Sequence, residues 1–405
     1  MQTLKFVIVG HVDHGKSTLI GRLLYETGSL PEDKIKEIEE TSQQLGRETE
    51  FAYLLDHLEE ERTQGITIET TQVFFKTKKR EYVIIDAPGH VEFVKNMVTG
   101  ASQAEAGVLI VDVKEGIREQ TKRHSFLLSL LGISQIIVVI NKMDLADYSQ
   151  ERFNQLKQNL ESFLNSLGLK PLFYLPLSAY KGDNISKKSE KLSWFGGPTF
   201  LESLDSLASK VHPESKDFIF PVQDVYKIED KRIVVGRIES GKVHRDDRVR
   251  ISPSGLTTKV LSIEKFRDSP SEAWVGENVG LILENAVFVE RGNIIYSQGL
   301  TFSDNFSATI FWLSKEDFNR DRRLEIRSAT QKTTCKIEIK ERIDSQTLEV
   351  VEKDSKILKN LEVARVNIKT KRPLAIKNFS ELEELGRFVL TEDGNICAGG
   401  IITSV

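Results

Sequence analysis

A glycine-rich stretch near the amino terminus, GHVDHGKST, has the residue types and spacing of a phosphate-binding loop. It fits the pattern G-x-x-x-x-G-K-S and lies between a strand-like run and a helix predicted over residues 18–25. Its backbone N–H groups would face phosphate oxygens, Lys16 would reach the β- and γ-phosphates, and the Ser17 hydroxyl would ligate Mg²⁺. The predicted nucleotide-binding residues here are Gly10, His11, Val12, Asp13, His14, Gly15, Lys16, Ser17 and Thr18. His11 and His14 also have a spacing that a metal site could use, but in a phosphate loop we expect it to be incidental.

Two later stretches carry groups that could sense the terminal phosphate. DAPGH ends an apolar strand, where Asp86 could hold Mg²⁺ through water and the Gly89 N–H could contact the γ-phosphate. GIT places Thr67 where it could complete the Mg²⁺ shell only when the γ-phosphate is present. His90 is either an ordinary polar loop residue or the group that orients the attacking water, and its place directly after Gly89 favours the second. The predicted Mg²⁺ ligands are Ser17, Thr67 and Asp86, and the predicted catalytic residues are Lys16, Thr67 and His90.

Hydrolysis by this site is predicted to be slow without a partner. Val12 and Ile66 could form an apolar gate that keeps His90 from the water until a partner rearranges the loops. The sequence offers no evident arginine finger.

The base is predicted to be guanine. In NKMD, Asp144 could accept hydrogen bonds from the guanine N1–H and exocyclic amine, a donor pair that adenine lacks. Asn141 would hold the loop and approach N7, and the Lys142 stem would cover the base. In LSAYKG, the segment of Ser178 and Ala179, the Ala179 N–H could reach the guanine O6. The predicted cofactors are GTP and Mg²⁺.

The elements that must position these groups alternate between strands and helices in the first half of the chain. Five apolar runs indicate buried parallel strands: LKFVIVG, YVIIDAPG, AGVLIVDV, QIIVVINKMD and FYLPLSA. One helical stripe contains Phe153, Leu156, Leu160, Phe163, Leu164 and Leu167. The alternation predicts a doubly wound α/β domain with its ligand at the carboxyl ends of the strands. TTQVFFKTKKREYVIID is predicted to form a hairpin that adds one antiparallel edge.

The remainder of the chain predicts two small β-barrels. Short runs with strand-like alternation and frequent turns begin after about residue 217 and repeat after about residue 302. The predicted domains are therefore a P-loop GTPase domain over 1–212 and barrels over 217–300 and 302–405.

Composition restricts the class of protein. The net charge of −4 argues against a general nucleic-acid-binding surface but allows a local basic patch. Only Cys335 and Cys397 are present, far apart, which fits a reducing compartment and a cytoplasmic protein. The chain enters a strand at once, so we expect no signal peptide, and no apolar run reaches the roughly 20 residues of a membrane helix.

Four motifs resemble the translation-factor-type GTPases, the elongation factor Tu class. They are GHVDHGKST, EEERTQGITIE, DAPGHVEFVKNMVTGASQAEAGVLIVD and NKMD. The resemblance covers essentially the whole chain and implies the GTPase fold, two barrels and GTP hydrolysis.

Two branches with this architecture differ in their partner. One is the GTPase subunit of heterodimeric sulfate adenylyltransferase, which couples GTP hydrolysis to adenylyl sulfate formation by a separate catalytic, ATP-adenylating subunit. KIEIKERIDSQTLEV, over 336–350, resembles that branch, and EIRSATQKTTC lacks the histidine expected of elongation factors. This is the predicted function, with the catalytic subunit as partner in a heterodimer or larger complex.

The other branch delivers aminoacyl-tRNA to the ribosome, and three positions favour it. His11, His14 and Ala87 look like an elongation factor, where many sulfate-branch proteins have Ser, Asp and Thr. Because such loop residues can vary without a change of partner, delivery of tRNA is the alternative prediction. A specialised relative with another ribosomal or assembly role is a third possibility.

Overall fold

The chain divides into two compact units. The computed structural model describes residues 3–30, 71–86, 104–130, 132–208, 217–228, 231–265, 268–285, 288–344, 349–360 and 362–405. One unit contains residues 1–97 and 101–210, and the other contains 98–100 and 211–405.

The first unit is built on a six-stranded sheet in the order β2-β3-β1-β4-β5-β6. Its strands are β1 (Thr3–Gly10), β2 (Thr71–Lys76), β3 (Glu81–Asp86), β4 (Ala106–Asp112), β5 (Gln135–Asn141) and β6 (Phe173–Pro176). All neighbours pair in parallel except β2 and β3. This confirms the predicted parallel sheet and its antiparallel edge hairpin. Every residue of β4 is buried, as an unbroken apolar run requires of a strand covered on both faces.

Helices cover this sheet through apolar stripes. They are α1 (Lys16–Glu26), α2 (Glu119–Leu130), α3 (Gln150–Ser166) and α4 (Phe200–Ser206), with short 3₁₀ turns at Val12–His14, Met143–Ala146 and Glu190–Leu192. The predicted stripe of α3 buries Phe153, Leu156, Leu160 and Leu164. Its amino end is fixed by the Ser149 hydroxyl, which accepts a hydrogen bond from the Arg152 N–H. Among the described helices, none has both the length and the apolar character needed to cross a membrane.

The second unit contains two barrels, the first of them closed in the order β10-β11-β13-β8-β7-β14. The strands of the first barrel region are β7 (Ile219–Ile228), β8 (Lys231–Arg237), β9 (Lys242–His244), β10 (Arg248–Ile251), β11 (Leu256–Glu264), β12 (Glu272–Trp274), β13 (Asn278–Leu283) and β14 (Ile294–Tyr296). β9 and β12 form a separate ribbon.

The second barrel has seven strands in the order β16-β20-β21-β15-β19-β17-β18, and pairing of β16 with β17 closes it. The strands are β15 (Thr301–Trp312), β16 (Leu324–Ser328), β17 (Gln331–Ile343), β18 (Val350–Lys353), β19 (Val363–Ile376), β20 (Arg387–Glu392) and β21 (Asn395–Ser404), with the short helix α5 (Glu383–Gly386). Residues of β17 alternate between buried and exposed, which confirms the period of two read from the sequence. Each barrel encloses its own apolar core.

Candidate nucleotide-binding site

The phosphate loop connects β1 to α1 with a backbone that only glycine allows at two positions. A Cβ on Gly10 would collide with the Ile110 backbone oxygen. Gly15 has φ +87°, and a Cβ there would lie 2.6 Å from the Asn141 side-chain nitrogen. α1 begins at the next residue, Lys16, and the first N–H groups of a helix lack partners within it. A tight loop followed by a helix amino terminus fits the phosphates of a nucleotide.

The two loop histidines have different surroundings. The His14 ring is completely buried, and its Nδ1 lies 3.3 Å from the Ile110 carbonyl oxygen. His11 caps the 3₁₀ turn, with its Nδ1 3.5 Å from the Asp13 N–H, and its ring stacks on that of His14. The His14 side chain therefore supports the loop from within the fold, and the His11 contact is weaker. Asp13 is exposed, and Ser17 and Thr18 lie in the first turn of α1.

Asn141, at the carboxyl end of β5, joins two loops of the site. Its side-chain amide donates to the His14 carbonyl oxygen at 2.9 Å, and its Oδ1 accepts the Ala179 N–H at 2.9 Å. Asn141 is only 2% exposed, so both bonds lie in the interior. The sequence predicted that the Ala179 N–H is directed at guanine O6. In this structure that N–H donates to Asn141 Oδ1, and its contact with the base stays a prediction.

The Asp144 carboxylate is held by Ser178, another predicted nucleotide-binding residue. The Ser178 hydroxyl donates to Asp144 Oδ1 at 2.6 Å, although the two residues are 34 positions apart. The other Asp144 oxygen has the chemistry to accept guanine N–H groups. Asn141, Asp144, Ser178 and Ala179 are therefore brought together, as the prediction requires.

Lys142 has a partner that the sequence interpretation missed. Its Nζ lies 2.9 Å from Oδ2 of Asp112, the last residue of β4. The other oxygen, Oδ1, accepts the N–H groups of Lys114 and Glu115. Burial raises the pKa of Asp112, but the bonds from Lys142 and the two amides outweigh it and hold the pKa below its ordinary value. The sequence signal that could have identified Asp112 is an acidic residue at the end of an apolar run, the same signal that identified Asp86.

A second missed carboxylate braces the base-recognition segment. Asp183 accepts hydrogen bonds from the Tyr148 phenol at 2.6 Å and the Ser189 hydroxyl at 2.7 Å, with Lys191 at 3.3 Å. Burial raises the Asp183 pKa, yet these three partners lower it below its usual value. Tyr148 follows the NKMD turn and Asp183 follows LSAYKG, so the contact ties the two base loops together. The local sequence around Tyr148 and Asp183 gives no signal that would predict this contact.

The remaining predicted residues fall outside what the structure describes. Thr67, Gly89 and His90 are outside the described residues, and so is Ile66 of the predicted gate. The backbone of Asp86 ends β3, but its side chain, like that of Val12, is not described. Their roles stay predictions.

Three family models match the chain in succession. The elongation factor Tu GTP-binding domain matches residues 1–210, elongation factor Tu domain 2 matches 231–296, and the GTP-eEF1A C-terminal domain-like family matches 305–403.

Curated relatives are similar along the whole chain. Elongation factor 1-alpha of Pyrococcus furiosus is 38% identical over 418 residues, covering 99% of this chain and 97% of that protein. The factor of Aeropyrum pernix is 39% identical over 422 residues, with 99% and 96% covered. That of Archaeoglobus fulgidus is 38% identical over 409 residues, with 98% and 97% covered.

These relatives overturn the prediction of a sulfate-activating subunit, together with its catalytic partner subunit and its ATP-dependent transferase activity. The prediction rested on segments such as residues 336–350, whose β17 part alternates between buried and exposed positions. Exposed strand positions accept many residues because they pack against little. His14, which pointed to the elongation factors, is completely buried beneath the phosphate loop. A buried position of this kind is a better guide to relationship than an exposed strand face.

Proposed function

This chain belongs to the family of translational GTPases that includes elongation factor Tu and elongation factor 1-alpha, and we propose that it delivers aminoacyl-tRNA to the ribosome. As a member of that family it is a GTPase that binds GTP and uses Mg²⁺. One observation carries the proposal: identity of 38–39% to elongation factor 1-alpha extends over 98–99% of the chain, both barrels included. We propose that it acts in the cytoplasm, where its two buried thiols stay reduced. The domain boundaries 1–212, 217–300 and 302–405 are part of the proposal.

The nucleotide would control delivery through the loops that bind the terminal phosphate. Thr67 and Gly89 would hold the γ-phosphate, and their loops would relax when it leaves. The GTP form would then present a surface that binds aminoacyl-tRNA and the GDP form one that releases it. His90 would orient the attacking water.

A depression on the outside of the second barrel has the chemistry to bind a nucleic-acid backbone. It encloses about 430 Å³, and its polar lining consists of Lys340, Lys353, Arg365, Ser307, Thr309, Glu341 and Asp354. Lys353 and Arg365 lie on either side of Glu341 across the strands, and Arg365 pairs with it at 2.7 Å. Such exposed ion pairs are weak, so a phosphate could replace the carboxylate.

Protection of the aminoacyl ester tests the function directly. We expect the full-length protein with GTP and Mg²⁺ to slow spontaneous hydrolysis of aminoacyl-tRNA, because the ester is shielded when bound. The same protein with GDP should give little protection. Deacylated tRNA should not compete, which serves as the control for general RNA binding. Equal protection with GTP and GDP, or none with either, would contradict the proposal.

The salt dependence of tRNA binding tests the surface separately. Each phosphate contact contributes about −0.7 to −0.9 to the slope of log K against log salt. Lys353→Ala should therefore reduce the slope by about one unit and weaken all aminoacyl-tRNAs alike. Lys170→Ala is the matched control, because Lys170 is exposed just before β6, at the sheet edge opposite the phosphate loop. If the two variants have the same slope, the depression is not the tRNA surface, and the ester experiment still decides the function.

A further inference from the structure

The buried ring of His14 directs one nitrogen at a carboxylate. Nδ1 lies 3.3 Å from the Ile110 carbonyl oxygen, which is the closer of the two acceptors that face the ring, so we assign the proton to Nδ1. Nε2 then presents its lone pair, and it lies 3.5 Å from Oε2 of Glu115. Within the described part of the chain, Nε2 has no hydrogen-bond partner.

Protonation of His14 would remove the repulsion between Nε2 and the Glu115 oxygen, but the surroundings of the ring disfavour it. Burial lowers the pKa of His14, as does the nearby His11 ring, against smaller opposing effects from Ile110, Asp112 and Glu115. A lowered pKa favours the neutral ring, in which the Nε2 lone pair faces a carboxylate oxygen. A cation between the two atoms would satisfy both.

The His11 ring adds a third possible metal ligand, and the three together are typical ligands of transition metals. Ring nitrogens of His11 and His14 and a carboxylate oxygen of Glu115 all lie within 4.8 Å of one another. We propose that His11, His14 and Glu115 form a binding site for a divalent transition-metal ion of the Zn²⁺ class, behind the phosphate loop.

The geometry and the ligand types suit this class. Two imidazoles and one carboxylate with water in a fourth position is a common Zn²⁺ arrangement, with ligand atoms about 3.3 Å apart for a tetrahedral site. The His14–Glu115 separation of 3.5 Å is close to that, so only His11 has to move. Its 3.5 Å contact with the Asp13 N–H is at the limit of a hydrogen bond and is easily given up. Mg²⁺ and Ca²⁺ prefer all-oxygen sets and would not compete.

The surroundings support the site as well. The Ile110 carbonyl orients the His14 ring as an outer-shell partner, which fixes the tautomer that leaves Nε2 free for the metal. The Glu115 side chain is 34% exposed and provides a path from solvent. Arg118 contacts the same Glu115 oxygen at 3.3 Å, but it is half-exposed and can be displaced. The spacing of the loop histidines, expected from the sequence to be incidental, thus gains a role through Glu115, about one hundred residues away.

Titration with Co²⁺ tests the site, because its visible absorption reports ligand number and type independently of GTP hydrolysis. The full-length protein, loaded with GDP in excess Mg²⁺, should bind one equivalent with the intense bands of a four-coordinate nitrogen and oxygen site. Zn²⁺ should displace the Co²⁺. Absence of a saturable spectrum would overturn the proposal, and so would sulfur-to-metal bands, which would assign the metal to the cysteines.

Two variants should move the affinity in opposite directions. Glu115→Gln should weaken binding roughly 10-fold or more, since a neutral amide is a poor ligand. Arg118→Met should tighten it, because a competing cation is removed, but should have no effect when combined with Glu115→Gln. His244→Gln is the matched control, since His244 also lies between two carboxylates, Asp247 and Glu272. Unchanged affinity in Glu115→Gln, or loss of binding in His244→Gln, would refute the site.

Discussion

The clearest test of the nucleotide site is Asn141→Ala, which removes the amide that joins the phosphate loop to the base loop. The substitution leaves the His14 carbonyl and the Ala179 N–H without their 2.9 Å partners. Each unpaired buried group costs about 1–3 kcal/mol, so the loss is about 2–6 kcal/mol. Without nucleotide the two loops can separate and admit water. With nucleotide they are held in place, so most of the loss falls on the bound state.

The expected result is a large drop in affinity with limited damage to the fold. Even about 2 kcal/mol corresponds to a roughly 30-fold higher Kd for GDP. Stopped-flow fluorescence with a labelled GDP gives the association and dissociation rates, and we expect most of the change in dissociation. Thermal unfolding of the nucleotide-free protein shows how much of the loss belongs to stability.

Asn165→Ala is the matched control, because it makes the same substitution at an exposed residue near the end of α3. Its GDP affinity should equal that of the parent protein. If Asn141→Ala stays within about threefold of that value, the amide bridge does not organise the site and the reasoning fails.

Three further changes have defined outcomes. Asp144→Asn should shift preference from guanine to xanthine nucleotides in a competition assay, because the amide donates where the carboxylate accepted. Asp112→Asn should lower the free energy of unfolding near neutral pH, and the difference from the parent should shrink on acidification below about pH 4, since a lowered pKa stabilises only while the carboxylate is ionised. Burial and the nearby Glu384 raise the pKa of Glu239 to about 7, against the opposing charges of two arginines. The free energy of unfolding of the second unit should therefore fall as the pH rises from about 4.5 to 7. Chemical unfolding should show that slope in the parent and not in Glu239→Gln.

The sequence predicted the framework of the site because that framework depends on local patterns. Apolar runs gave the strands of the parallel sheet, and the stripe through Phe153 and Leu160 gave α3. Since parallel strands present their carboxyl ends at one edge, the motifs after β1 and β5 had to meet there. Alternation in β17 indicated a barrel strand for the same kind of reason.

The hydrogen bonds that join the loops of the site could not be predicted in this way, because their partners are far apart in the chain. Tyr148 and Asp183 are 35 residues apart, and Asn141 and the His14 carbonyl are 127 apart. Each residue is compatible with many partners, and only the folded backbone selects one. The Ala179 N–H illustrates the limit: the motif points it at the base, but only the folded backbone shows its hydrogen bond to Asn141.

Burial explains why the residues of the exposed barrel strand favour the wrong branch. The His14 ring is fixed by Ile110 on one side and faces Glu115 on the other, while its backbone carbonyl is fixed by Asn141. A change there would disturb the phosphate loop, the strand beneath it and the base loop together. The exposed face of β17 has no such constraint, so its resemblance to another branch says little about partners. In this protein, the residue types beneath the loop therefore carry more information about relationship than those on the barrel surface.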